Sequence, residues 1–208
     1  MTVLSDIGNI PIDAAFMKSI LTNYKSVNSK ISELEKSGKI IRLKKGIYVV
    51  SPKESGMLLS MELIANHIYG PSYVSMESAL RYYGLIPESV YIMRSMTTKH
   101  SKEFKNTLGK FEYTQCSKKY FPIGIRQEVK DNTAFLIASP EKALCDLIVN
   151  TSNLNLRYQK ELLTYLEEDL RFNMDELYKM NVSIFEQCLR FCKKKVTIVN
   201  LIKIIKHE

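Results

Sequence analysis

Apolar positions along the first fifty residues change their period once. Ile12, Phe16 and Ile20 recur at helical spacing, with Ala15 and Met17 alongside and Pro11 at the start, so the spacing predicts a helix over Ile12 to Leu21. Thr22 and Asn23 break that pattern. A second helix is predicted over Ser26 to Ser37, where Val27, Ile31 and Leu34 recur at i, i+4 and i+7 and face a core. Gly38 follows, where a helix end takes a left-handed residue. Beyond it the period is two. Ile41, Leu43, Ile47 and Val49 alternate with Arg42, Lys44 and Tyr48 around the turn Lys44-Lys45-Gly46, which predicts a basic-tipped β-hairpin bounded by Ser51-Pro52.

Past a linker at Pro52 to Gly56, a helix is predicted over Met57 to Tyr69, ended by Gly70-Pro71. Ser72 is expected to cap the next helix, with Val74, Leu80 and Tyr83 inward and Gly84 as its stop. Val90 to Met96, Lys110 to Cys116, Lys119 to Ile125 and Thr133 to Ala138 are expected as strands, and the lysine-rich stretch Thr97 to Thr107 as a polar loop. Ser139 and Pro140 open another helix with Glu141 in its first turn. Helices follow from about Leu156, with a break at Asn173-Met174-Asp175 and another at Lys193-Lys194-Lys195. The expected fold class is α+β in two domains. Residues 1–54 form a winged helix-turn-helix, and residues 55–208 a larger α/β unit with a small mixed sheet and C-terminal helices.

The 208 residues suffice for a packed core without disulfide or metal staples. Forty-five per cent hydrophobic and 25% charged residues are ordinary globular proportions. The longest apolar runs, such as Ile198 to Ile205, are far short of the about 20 residues that span a bilayer. Met-Thr-Val-Leu-Ser-Asp has no basic stretch leading into an apolar core, so no signal peptide is expected and the location is expected to be cytoplasmic. Cys116, Cys145, Cys188 and Cys192 form no CxxC pair, and His67, His100 and His207 are scattered. Cys188 and Cys192 lie one helical turn apart beside Ile184, Phe185 and Leu189, which reads as buried thiols. Neither a metal nor a cofactor is expected.

Net charge is +8, and its distribution points to a polyanionic partner. Between Tyr24 and Lys45 stand seven basic residues and two acids, an excess of five charges in that window. Opposite the apolar stripe of the second helix lie Lys25, Ser29, Ser32 and Lys36, flanked by Ser26, Asn28 and Glu33; its small hydroxyls, amide and lysines suit the reading of a DNA groove. Helix, short turn, polar-faced helix and basic hairpin follow the order of a winged helix-turn-helix. There the second helix enters the major groove and the wing, here Arg42, Lys44 and Lys45, follows a phosphate backbone.

Three blocks carry a family resemblance. Ser32 to Tyr48 reads S-E-L-E-K-S-G-K-I-I-R-L-K-K-G-I-Y; Gly70 to Leu85 reads G-P-S-Y-V-S-M-E-S-A-L-R-Y-Y-G-L; Ala138 to Ile148 reads A-S-P-E-K-A-L-C-D-L-I. In this order, across roughly residues 20–150, they resemble the AbiE family of antitoxins from type IV abortive-infection toxin–antitoxin systems. The resemblance implies a repressor that binds double-stranded operator DNA of its own operon through the N-terminal winged domain. It also implies that the C-terminal domain counteracts a nucleotidyltransferase-like toxin without a stable complex.

Candidates for the neutralising surface are Arg81 and the loop lysines Lys99, Lys102 and Lys105. No Gly-rich phosphate loop, HExxH, GxSxG or paired carboxylate motif is present, so no catalytic residues are assigned and the chain is expected not to be an enzyme. Two alternatives remain open: a stand-alone winged-helix regulator with a sensing second domain, and a nucleic-acid-processing enzyme using scattered acids such as Asp146 and Glu141.

Overall fold

A computed structural model describes residues 4–87, 91–152 and 154–207. The expected strand start at Val90 and the leader reading of the first three residues lie outside them. The chain is α+β, with one three-stranded and one six-stranded sheet. No helix among the described residues is long and apolar enough to cross a membrane.

The N-terminal part holds β1 (Ile12–Asp13), α1 (Ala14–Ile20), α2 (Val27–Lys36), β2 (Ile40–Lys44) and β3 (Ile47–Val50). The first helix starts two residues later than its spacing predicts. Ile12 instead pairs with Tyr48 across β3, and Asp13 caps α1 by accepting from the Phe16 N–H at 2.8 Å. That rotation buries Met17 fully and leaves Phe16 46% exposed. The second helix and hairpin form where expected, and Gly38 adopts the left-handed φ of +71° beyond α2.

Both faces of the hairpin are covered. Ile40, Tyr48 and Val50 join Met17, Ile31 and Leu34 in a small core, while Leu43 and Val49 belong to the larger core of the rest of the chain. The side-chain period of two makes this possible, because successive residues of β3 enter opposite cores. The hairpin is therefore a wall shared by the two halves.

After the helical turn α3 (Pro52–Ser55) come α4 (Met61–Ile68), β4 (Ser72–Val74), α5 (Met76–Tyr82), β5 (Ile92–Thr97), β6 (Lys102–Asn106), β7 (Gly109–Gln115), β8 (Ile125–Lys130), β9 (Thr133–Ala138) and α6 (Pro140–Asn150). Helices α7 (Gln159–Thr164), α8 (Met174–Leu177), α9 (Val182–Leu189) and α10 (Lys195–Lys206) finish the fold, with one π-helical stretch at Tyr165–Asp169. The larger sheet is mixed, in the order β6-β7-β5-β4-β9-β8.

Three expectations are corrected here. Ser72 begins a strand, and Ser75 is the residue that precedes α5. The segment Lys119 to Ile125 turns back on itself, with Tyr120 and Phe121 N–H groups donating to the Ser117 carbonyl. Gly124 closes that turn at φ +60°, where a Cβ would meet the Lys142 side chain at 2.9 Å. The supposed polar loop contains β6, an edge strand antiparallel to β7.

Candidate nucleic-acid interface and the buried ionic centre

On α2, the residues expected to face DNA are all exposed: Asn28, Ser29, Ser32 and Lys36, with Lys25 and Ser26 just before the helix. Ile31 and Leu34 are buried on the opposite side. The hydroxyls are held locally, Ser26 Oγ to Ser29 Oγ at 2.8 Å and Ser32 Oγ donating to the Asn28 carbonyl at 3.1 Å. These bonds stay within the helix and its first turn, so the groups are free to exchange partners with a ligand.

The hairpin cations divide. Arg42 forms an ion pair with Glu35 of α2 at 2.6 Å and lies over the Tyr48 ring, so it ties hairpin to helix. Lys45 is exposed at the turn beside Gly46. Lys44 points toward the second half of the chain, over the Phe104 ring of β6. There it meets Lys99 and Lys102. Lys102 lies 5.9 Å from the Tyr69 ring centroid and 5.2 Å from that of Phe104, and Lys99 lies 5.2 Å from that of Tyr69. Tyr69 and Phe104 themselves touch, at 5.6 Å between centroids.

Three lysines thus surround two rings. None of them enters an ion pair among the described residues, although Lys99 donates to the Gly70 carbonyl. Burial first, and then repulsion from Lys99 and Lys102, lowers the Lys44 pKa from the ordinary lysine value. The Asn106 amide donates to the Leu43 carbonyl at 2.9 Å and fixes β6 against β2, so the juxtaposition is built into the fold.

The structure does not unite all the candidate surface cations. Lys105 follows Phe104 and lies on the other face of the pleat from Lys102. That face carries an ion-pair ladder: Lys110 with Glu103 at 2.9 Å and Glu112 at 2.7 Å, and Arg94 with Glu112 at 3.4 Å and Glu77 at 3.0 Å. Arg81 is exposed in the last turn of α5, beside a separate cleft with Tyr82 and Lys130.

A second concentration of polar groups is internal. Asp146 of α6 is 0% exposed and receives hydrogen bonds from Ser75 Oγ at 2.6 Å and the Tyr73 hydroxyl at 3.0 Å on Oδ2, and from the Tyr120 hydroxyl at 2.6 Å on Oδ1. Lys142, also 0% exposed and one helical turn earlier, stands 3.5 Å from Oδ1, donates to the Tyr120 carbonyl and lies over the Tyr120 ring. Burial and the Asp146 charge push the Tyr73 and Tyr120 hydroxyls well above their ordinary pKa, so both act as proton donors.

Met76, with φ +52°, makes the sharp turn from β4 into α5 beside Ser75. The second and third sequence blocks therefore meet at one carboxylate. Glu141 faces elsewhere and accepts from the Asn181 N–H at 3.0 Å. Sequence reading missed this centre, although Lys142 and Asp146 at i, i+4 within an apolar helix were its visible signal.

Burial pushes the Cys116 thiol up to about 11, and Cys145, Cys188 and Cys192 are buried. Among the described residues no group of three or more His, Cys, Asp or Glu side chains is placed to hold a metal ion. No protein-family profile matches the chain, and no curated protein sequence does either.

Proposed function

We propose that the chain is a DNA-binding antitoxin and autorepressor of the type IV kind. Its N-terminal residues act as a winged helix-turn-helix, with α2 in the major groove and the hairpin along a phosphate strand. The observation that carries the DNA half is the lysine cluster, without ion-pair partners among the described residues, that continues from Lys44 of the hairpin to Lys99 and Lys102. Like charges drawn together without a carboxylate repel one another, and a bound polyanion relieves that repulsion. The exposed face of Asn28, Ser29 and Ser32 supplies short donors and acceptors suited to base edges.

The neutralising half of the reading is supported by the three sequence blocks. In this reading the C-terminal part counteracts a nucleotidyltransferase-like toxin without forming a stable complex with it.

Two assays test the proposal. The full chain is titrated against duplexes from upstream of its own reading frame and against random duplex, and it is co-expressed with the adjacent open reading frame. Preference for the upstream DNA with rescue of growth is expected. Equal affinity for both duplexes would overturn the repressor reading, and unrelieved toxicity from a demonstrably toxic neighbour would overturn the antitoxin reading.

A further inference from the structure

β5 and β7 are parallel neighbours, paired from Ile92↔Lys110 to Thr97↔Gln115. Beyond their carboxyl ends, at Met96 and Gln115, lies a cleft of about 470 Å³. The turn at Cys116 to Tyr120, the C-terminal end of α6 and the segment after α9 complete its walls. Clefts that hold small ligands have volumes of roughly 300–1,000 Å³. The space outside the carboxyl ends of parallel strands is where open sheets characteristically hold them.

The lining is chemically one-sided. Among the described residues it contains no carboxylate, while Lys193 and Lys194 belong to it. Lys194 is committed to the fold, since its ammonium donates to the carbonyls of Ile148 at 2.9 Å and Thr151 at 2.6 Å and so fixes the end of α6. Lys193 is exposed and enters no ion pair among the described residues. An adjoining cleft of about 550 Å³ shares both lysines and adds Arg157 and Lys195, again with no carboxylate among the described residues. The three other clefts described all contain Glu62, Asp131, Glu161 or Asp169. Apolar surface stands beside this charge: Val149 and Met96 line the cleft, and the Phe191 ring is 44% exposed next to Lys193.

We propose that this cleft binds a small anion carrying a flat ring, of the nucleoside monophosphate class, with its phosphate on Lys193 and its ring against Phe191 and Val149. A lone phosphate would use the lysine and leave the apolar wall wet. An uncharged ring would leave Lys193 without its counter-charge. The concave shape and size suit one nucleotide rather than a strand. Asn150, Gln115 and Ser117 supply polar edges within the same lining. The site shares no residue with the lysine surface around Phe104, so its test is independent of the DNA reading.

The test uses the full chain, titrated calorimetrically with each of the four 5′-ribonucleoside monophosphates, the matching nucleosides and inorganic phosphate. At least one monophosphate is expected to bind, with its nucleoside and inorganic phosphate each about tenfold weaker or worse. Lys193→Glu is expected to weaken binding about tenfold, the scale of one charge-assisted contact, and Phe191→Ala to weaken the nucleotide but not inorganic phosphate. Both side chains are exposed, so folding is expected to survive, and Lys18→Glu on α1 serves as the charge control. The proposal is overturned by absence of binding at millimolar monophosphate, by inorganic phosphate binding equally well, or by unchanged affinity in Lys193→Glu.

Discussion

Lys142 has no exposed surface, and its ammonium stands 3.5 Å from Asp146 and over the Tyr120 ring. Lys44, Lys99 and Lys102 lie over the rings of Tyr69 and Phe104 with no carboxylate in ion-pair reach among the described residues. Both places combine lysine with aromatic faces, yet they differ in what completes the charge. Inside, three hydroxyl donors and one ammonium surround a single carboxylate, so charge is balanced by the fold itself. Outside, three cations share two rings with no counter-charge in ion-pair reach among the described residues. In the proposed reading, the contrast separates residues that make the protein from residues that meet DNA. It also gives the sequence blocks two jobs, since the second and third build the internal centre while the first contributes Lys44.

The contrast breaks first if the internal centre proves dispensable. Asp146→Asn removes the charge that balances Lys142 and is expected to cost about 3–5 kcal/mol, the usual scale for breaking a buried pair on one side. Urea denaturation measures this, and a loss below about 1 kcal/mol would mean the centre is not structural. Any effect of this variant on protection of cells must therefore be judged only on protein shown to be folded.

Substitution on the outer face of α2 should have the reverse profile. Ser29→Ala with Ser32→Ala is expected to leave stability within about 0.5 kcal/mol, as is usual for exposed positions. Discrimination between operator and random duplex should fall by about 1–3 kcal/mol for each base that is no longer read. Competition binding checks this, and unchanged discrimination would remove α2 from the reading role.

The smallest effect should come from Glu35→Gln, which releases Arg42 from its 2.6 Å ion pair. The pair is partly exposed, so the stability change is expected to be within about 1 kcal/mol. Affinity for all duplexes should rise slightly as Arg42 becomes available to phosphate. Weaker binding would show that the pair positions Arg42 productively instead.

How much of the molecule is legible in its sequence depends on whether a feature is local. The helix α2 and the hairpin are readable because their periods of 3.6 and 2 are carried by consecutive residues such as Ile31, Leu34, Leu43 and Val49. The start of α1 is not, because Ile12 is claimed by a distant partner strand, in register with Tyr48. The edge strand β6 resembles a loop because Lys102, Glu103 and Lys105 face water on an edge, where no core requires apolar residues. The turn after β7 resembles a strand because Tyr120, Phe121 and Ile123 are apolar, although Tyr120 serves the Asp146 centre.

The candidate surface is legible only in halves. Lys44 belongs visibly to a basic hairpin, and Lys99 with Lys102 to a basic stretch. Their meeting depends on Leu43 and Val49 entering the second core and on Asn106 holding Leu43, which is tertiary information.

The central claim is that the hairpin and β6 present one surface to one duplex. It is tested most directly by the salt dependence of duplex binding for Lys99→Glu with Lys102→Glu, in a protein whose α2 and hairpin are intact. Each phosphate that the protein no longer neutralises lowers the slope of log affinity against log salt by about 0.9, so a fall of about two units is predicted, with the preference for operator over random duplex retained. An unchanged slope and affinity would contradict the claim and confine any DNA contact to the first fifty residues.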